Sequence, residues 1–233
     1  MFKNKKILAL VPARSGSKGI KNKNIKKING VPLIKYTLDF INKLKFVDLK
    51  IVSSDSIKIL KLAKDNDFIG IKRSKFLSGD KVSDFSVIKS VVNNSYVARS
   101  QCDYLIYLQP TSPIRRKKEL LLALKKIIIN NFHSGWSVSK IDKKYHPLKI
   151  LKIKNKKLTL FNSKGKKIIA RQQLDDIFIR NGVFYIFSIK ELMKKKSIYL
   201  DNTLPVYIKH KIVNIDNSND LKIAKKLLDR NKF

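Results

Sequence analysis

The 233-residue chain, 43% hydrophobic, is long enough to build one α/β domain with a substantial core, and no stretch approaches the roughly 18 consecutive apolar residues of a membrane span. Its formal charge of +35 would suit a nucleic-acid binder, yet the cations are overwhelmingly lysine, spread along the chain beside abundant Ile and Asn as a low-GC genome produces, and no basic run is interleaved with the arginines and aromatics that base readout and stacking favour. Such a field should attract small anionic substrates, most strongly at low salt, rather than a specific nucleic acid or a membrane.

Lys6 to Val11 reads as a buried parallel strand ended by Pro12. The loop that follows carries Gly16 and Gly19 among Arg14, Lys18, Lys21 and Lys23. Glycine lets backbone amides approach a ligand closely, and cations turned into the same concavity favour a polyanion. At the carboxyl edge of a first strand, where open α/β sheets bind ligands, the loop reads as a triphosphate cradle. It is neither a Walker A loop, since only two residues separate its glycines, nor the dinucleotide fingerprint. The lysines and apolar run at the amino terminus do not read as a signal peptide, because Arg14 interrupts the run and no small-residue cleavage site follows.

Pro32 to Leu44 has helical periodicity. Leu49 to Ser53 reads as a second strand, and Ser53-Ser54-Asp55-Ser56 as the cap of a helix over Ile57 to Lys64 with an apolar stripe of Ile57, Leu60 and Ala63. In this setting Asp55 is a capping residue rather than a catalyst. A short strand is predicted within Ile69 to Phe76 and a helix from Asp84 to about Tyr96. The single cysteine, Cys102, rules out an intrachain disulfide and every multi-cysteine zinc pattern, which points to a reducing cytoplasm.

Asp103 to Leu108 is the next strand. Gln109-Pro110-Thr111-Ser112-Pro113-Ile114-Arg115 cannot extend it or enter a helix before Arg116, so this segment is a stiff loop of the kind that holds functional groups well. A helix over Glu119 to Ile129 and a strand over Gly135 to Ser139 follow. From Ile141 to Ala170 the periodicity dissolves into basic stretches around His146. Asn181-Gly182 reads as a turn before an apolar strand. Ile212 to Asp216 reads as an edge-to-core strand, and Asn217 to Asp220 as the cap of a final helix burying Leu221, Ala224, Leu227 and Leu228.

Pro12 to Gly19, Lys21 to Ile25, Gly30 to Leu33, Val52 to Asp55, Gln109 to Arg115 and Arg180 to Ile186 together resemble the CMP-sialic acid synthetases (acylneuraminate cytidylyltransferases) over nearly the whole chain. The resemblance implies an α/β, Rossmann-like three-layer nucleotidyltransferase (GT-A-like) with a mostly parallel sheet. It implies one cytidylyltransferase domain over 1–233, with 141–170 leaving it as a small lobe that exchanges in a homodimer and helps close the partner's active site. By the same resemblance the opening loop wraps the CTP phosphates through Ala13, Arg14, Ser17, Lys18, Lys23 and Asn24. Arg73 approaches the nucleotide, although Ser74 replaces the family's proline, and Ser83 reaches the nucleotide sugar.

Gln109 hydrogen-bonds the acidic sugar in this resemblance, Arg171 faces its carboxylate, and Asn181 contacts the substrate. Asp216 holds Mg²⁺, while Asn214 stands where the family carries a first acid, which puts a two-metal arrangement in doubt. The implied reaction is attack by the anomeric 2-hydroxyl of a nonulosonic (sialic-type) acid on CTP, with Arg14, Lys18, Lys23 and Asp216 as catalytic groups. Its place would be cell-surface polysaccharide biosynthesis, lipopolysaccharide included. No histidine lies in a matching motif, which leaves metal-assisted deprotonation or Asp216 itself for the proton. A catalytically impaired nucleotide-binding homologue, suggested by Asn214, and a basic nucleic-acid-binding protein are the alternatives.

Overall fold

The computed structural model describes residues 1–16 and 19–230 of the chain, so the expectations placed on Ser17 and Lys18 lie outside the described residues. The strands are Ile7–Pro12 (β1), Lys27–Ile28 (β2), Val31–Pro32 (β3), Leu49–Ser54 (β4), Ile69–Lys72 (β5), Tyr104–Tyr107 (β6), Ser134–Lys140 (β7), Leu151–Lys154 (β8), Lys157–Leu160 (β9), Phe178–Ser188 (β10) and Thr203–Tyr207 (β11). The helices are Leu33–Asn42 (α1), Ile57–Lys64 (α2), Asp84–Val92 (α3), Ser95–Ser100 (α4), Lys117–Ile129 (α5), Ile189–Lys195 (α6) and Ser218–Arg230 (α7).

Seven strands form one sheet in the order β11-β7-β10-β6-β1-β4-β5. Neighbours are parallel throughout except at β10, which runs antiparallel to both β6 and β7. β1 is buried on both faces, and its alternation divides the core. Ile7, Ala9 and Val11 pack with Ile34, Leu38 and Ile41 of α1, Ile59 and Ala63 of α2, and Leu120, Leu124 and Ile127 of α5. Leu8 and Leu10 pack on the other face with Ile88 and Val91 of α3, Val97 of α4 and Leu192 of α6. The result is the three-layer arrangement expected of a mostly parallel sheet. It turns the carboxyl ends of β1, β4 and β6 toward one edge, where such sheets bind ligands.

Several local expectations change. In α2 the buried residues are Ile59 and Ala63, whereas Ile57 is 76% exposed. The Ser56 hydroxyl caps the helix by accepting from Ile59 N, and this start sets which positions face the sheet. The helix expected over Asp84 to Tyr96 is two helices, because the Asn94 side chain accepts from Tyr96 N and begins α4. Asn181-Gly182 lies inside β10, where the pairing with β7 slips between Arg180 and Tyr185. This is a bulge rather than a turn.

Ile212 to Asp216 is extended but not a strand; Ile215 N donates to Thr111 O, and Val213 and Ile215 bury against α7, Ile20, Ile28 and Leu33. The sheet edge is occupied instead by β11, whose Pro205 suits an edge position. Residues 141–170 contain a two-stranded hairpin, β8–β9, turned through Asn155 and Lys156, both at positive φ as the tight hairpin turn requires. No helix among the described residues is long and apolar enough to cross a membrane.

Candidate active site

The loop after β1 is held from several directions by long-range contacts. Ala13 N donates to Ser53 O, extending the register of β1 on β4 by one bond. Ser15 donates twice to Asp55, from its amide to Oδ1 at 2.7 Å and from its hydroxyl to Oδ2 at 2.6 Å. Burial works against ionisation of Asp55, but these hydrogen bonds and the nearby Arg73 outweigh it and lower its pKa. Asp55 is therefore a clamp on the loop, and the helix cap is Ser56. Asn24 Nδ2 donates to Arg14 O at 2.8 Å, which fixes the same turn from the opposite side.

Within the frame so made, Arg14 Nη1 reaches Asp80 Oδ1 at 2.8 Å and Ser78 O at 3.3 Å. Lys23 Nζ donates to Ile215 O at 2.6 Å and Asp216 Oδ1 at 3.0 Å, across nearly the full length of the sequence. Gly19 lies against the same carbonyl terminus: a Cβ there would stand 2.2 Å from the Asp216 carbonyl oxygen, so only glycine permits the approach. Asp216 is presented by Asp220, whose carboxylate accepts from the amides of Asp216 and Asn217 at 2.9 Å each. Its side chain is 70% exposed, against 12% for Lys23.

These groups open on a cavity of about 490 Å³, lined also by Arg73, Tyr107, Asp84, Gln109 and Asn214. The volume falls within the range usual for small-molecule sites. Arg73 is 7% exposed and donates to Ser53 Oγ and Ser53 O, so it is a buried wall of the cleft and not a surface residue. Burial lowers its pKa. Tyr107 donates to Asp84 Oδ1 at 2.8 Å, and burial, reinforced by Asp84, holds the phenol well above its usual range. Neither Tyr107 nor Asp84 was singled out by motif reasoning. The available signal is the position of Tyr107, the last residue of a strand that ends at the ligand edge.

Ser83 is not among the residues lining this cavity; its hydroxyl accepts from Ser86 N and caps α3. Asn24 is 6% exposed, and its Oδ1 is buried with no donor among the described residues. Because Nδ2 already serves Arg14, the free end is an acceptor, which suits a hydroxyl or amino group and not a phosphate oxygen.

On the sugar side Gln109 lines the cleft. Gly182, at φ +74°, makes room for it, since a Cβ there would lie 3.0 Å from Gln109 Oε1 and 2.9 Å from Ser112 Oγ. Asn181 is engaged inside the protein at both ends of its amide: Oδ1 accepts from Ser137 Oγ and Val183 N, and Nδ2 donates to Ser139 Oγ. Its role is to hold the bulge of β10. Arg171 does not line the cleft of its own chain; it pairs with Asp142 at 2.8 Å beside the β8–β9 hairpin. Among the described residues no three His, Cys, Asp or Glu side chains cluster as a metal site. Asp216 with Asn214 offers a sparse set of oxygen donors, which fits Mg²⁺ only as an ion that keeps waters and takes further oxygens from a bound triphosphate.

The sequence pattern of the family described as cytidylyltransferase matches residues 8–230. Post-translational flagellin modification protein B of Campylobacter coli is 26% identical over 226 residues, 95% of this chain and 94% of that protein. CMP-N,N'-diacetyllegionaminic acid synthase of Legionella pneumophila is 27% identical over 233 residues, 97% of this chain and 98% of that protein. The fold is similar to that of a CMP:2-keto-3-deoxy-manno-octonic acid synthetase complexed with CTP, with a TM-score of 0.71 at 14% identity, covering 97% of this chain and 99% of that one. With the family pattern spanning almost every described residue and the basic loop, Arg73, Gln109 and Asp216 meeting in one cleft, the chain belongs to the cytidylyltransferase family and is a nucleotidyltransferase.

Proposed function

We infer that the protein transfers CMP from CTP to the anomeric 2-hydroxyl of a nonulosonic acid of sialic, legionaminic or pseudaminic type, with Mg²⁺, and releases pyrophosphate. The observation that carries the reading is the meeting of Lys23, Gly19 and Asp216 at the mouth of the cleft, with Arg14 on the same loop. The name of the Legionella relative supports a nonulosonic acid as acceptor.

In the reaction the 2-hydroxyl oxygen bonds to the α-phosphorus, the bond from that phosphorus to the bridging oxygen breaks, and pyrophosphate leaves with the electron pair. Triphosphate and carboxylate charges crowd into one cleft, so charge neutralisation is the principal demand. Lys23 and Arg14 would take phosphate oxygens, exchanging their present carboxylate and carbonyl partners for substrate. Lys18, on the same loop, would add a third cation. Asn24 Oδ1 would accept from the nucleoside, Arg73 would wall it, and Gln109 would orient the acid sugar. Mg²⁺ held by Asp216, with Asn214 beside it, would supply Lewis-acid polarisation of the α-phosphoryl group. Asp216 Oδ2, the oxygen not engaged by Lys23, would receive the hydroxyl proton.

The β8–β9 arm supports a homodimer. Ile153, Leu158 and Ile169 are 75%, 68% and 93% exposed, apolar surface that a second copy would cover. In that assembly Arg171 would reach the partner's sugar carboxylate, which a guanidinium matches bidentately. The reaction would be cytoplasmic and serve cell-surface polysaccharide, lipopolysaccharide included.

The test is pyrophosphate release with each nonulosonic acid and each nucleoside triphosphate in turn. Turnover with CTP and one such acid, abolished in Asp216→Ala and in chelator, is expected. Normal turnover in Asp216→Ala would remove the metal assignment, and no release with any of these acids would remove the acceptor class.

A further inference from the structure

The loop that carries Gln109 separates two cavities. Gln109, Pro110 and Thr111 line the cleft described above, whereas Pro113, Arg115 and Arg116 line a second cavity of about 700 Å³ between α1, the start of α5 and the end of α7. Arg115 is only 4% exposed. Its Nε donates to Val183 O at 2.7 Å, Nη1 to Thr37 Oγ1 at 2.9 Å and Nη2 to Gln109 O at 2.5 Å. A guanidinium has five N–H groups, so two are left after these bonds. Among the described residues no carboxylate pairs with it: burial lowers the pKa, to about 9, and the group stays cationic at neutral pH. A buried cation held only by neutral oxygens is costly unless something anionic completes it.

The surroundings of Arg115 have the same bias. Arg116 and Lys117 stand exposed at the opening, and α5 begins there with no side-chain cap among the described residues, its first turn partly positive. The two carboxylates that reach the cavity are turned to other partners, Asp39 to Lys35 Nζ at 2.5 Å and Asp229 to Asn29 Nδ2 at 2.7 Å. The guanidinium stands over the Phe40 ring, 6.0 Å from its centre, and Phe40 also lines the cavity as an apolar wall.

We propose that this cavity is a second anion site, for a phosphomonoester of nucleotide size that carries a flat ring. The phosphate meets Arg115, Arg116 and the start of α5, and the ring rests on Phe40. Because Arg115 also holds the carbonyl of Gln109 and the bulged strand at Val183, the occupied site stiffens the loop shared with the cleft.

The experiment is equilibrium dialysis of the full chain with CMP at physiological ionic strength. Expected is a component of binding that survives Lys23→Ala/Asp216→Ala in the cleft and weakens at least tenfold in Arg116→Gln/Lys117→Gln. Both altered side chains in the second pair are exposed, so its unfolding midpoint should match the wild type. As a control for the high overall charge, Lys152→Gln/Lys154→Gln on the arm should leave that component intact. Loss of all CMP binding in the cleft variant, wild-type binding in the Arg116 and Lys117 variant, or equal weakening in the arm control would each overturn the proposal. These outcomes concern CMP binding outside the cleft and are independent of turnover.

Discussion

The loop after β1 and the arm between β7 and β10 are both rich in lysine, yet they are finished in opposite ways. Around the loop several polar groups are paired within the chain: Ser15 with Asp55, Arg14 with Asp80, Lys23 with Asp216. On the arm apolar groups stand uncovered among exposed lysines, with Ile153, Leu158 and Ile169 facing solvent, and Arg171 makes an exposed pair with Asp142. Exposed ion pairs contribute little, whereas uncovered apolar area is a driving force for association. In the proposed reading the loop is arranged for its ligand and the arm is the surface that a second copy covers.

The sharpest way to break this contrast is Lys23→Ala. If the loop is arranged to hold transition-state charge, turnover should fall by about 10²-fold or more with the fold intact, as for a lost oxyanion contact. A loss confined to thermal stability, with turnover per folded molecule unchanged, would make the Lys23–Asp216 pair structural. Next in size is the arm. Ile153→Ser/Leu158→Ser should shift the sedimentation of the protein toward the monomer and lower turnover with it, at about 1.4 kcal/mol for each tenfold change in association. An unchanged sedimentation coefficient would show that the arm is not an interface.

A smaller effect is expected for Asp55→Asn, which weakens two charge-assisted hydrogen bonds to Ser15 and should cost about 1–3 kcal/mol. The pKa of Asp55 is lowered in the folded protein. Its contribution is therefore present above the unfolded carboxyl value and is lost as pH falls through the lower folded one. The wild type should lose more stability than the variant when unfolding midpoints are followed from pH 6 down through this acid range; parallel curves would clear Asp55 of the clamp role. The smallest change is Asn214→Asp, which adds a hard charged oxygen beside Asp216 and should lower the Mg²⁺ concentration for half-maximal turnover. No shift would place Asn214 outside the metal's reach.

Much of the loop's half of the molecule was readable from local chemistry. Most of the strands and helices from Ile7 to Ile129 follow from apolar periodicity and from caps such as Ser56, apart from the short β2–β3 pair and the break between α3 and α4. Gly19 and Lys23 read as part of a phosphate loop because glycine permits close backbone approach and lysine supplies a cation. The remainder was harder because neighbours distant in sequence decide it. Asn181 reads as a substrate ligand until Ser137 and Ser139 of β7 take up its amide. Ile212 to Asp216 has the alternation of a strand, yet its apolar residues bury beneath α7 and β11 takes the sheet edge. Ser83 looks available until α3 begins on it.

What the amino-acid order determined by itself was most of the strands and helices in their order and the basic glycine loop, since alternation, capping and conformational freedom act over a few residues. Only the tertiary structure decided which polar groups remain open to a ligand. That depends on pairings such as Lys23 with Ile215 and Asp216, or Arg115 with Gln109 and Val183. A neutral group such as the Asn181 amide is closed once distant partners fill it, whereas in the proposed reaction Lys23 and Arg14 exchange their partners for phosphate, and distance along the chain records neither.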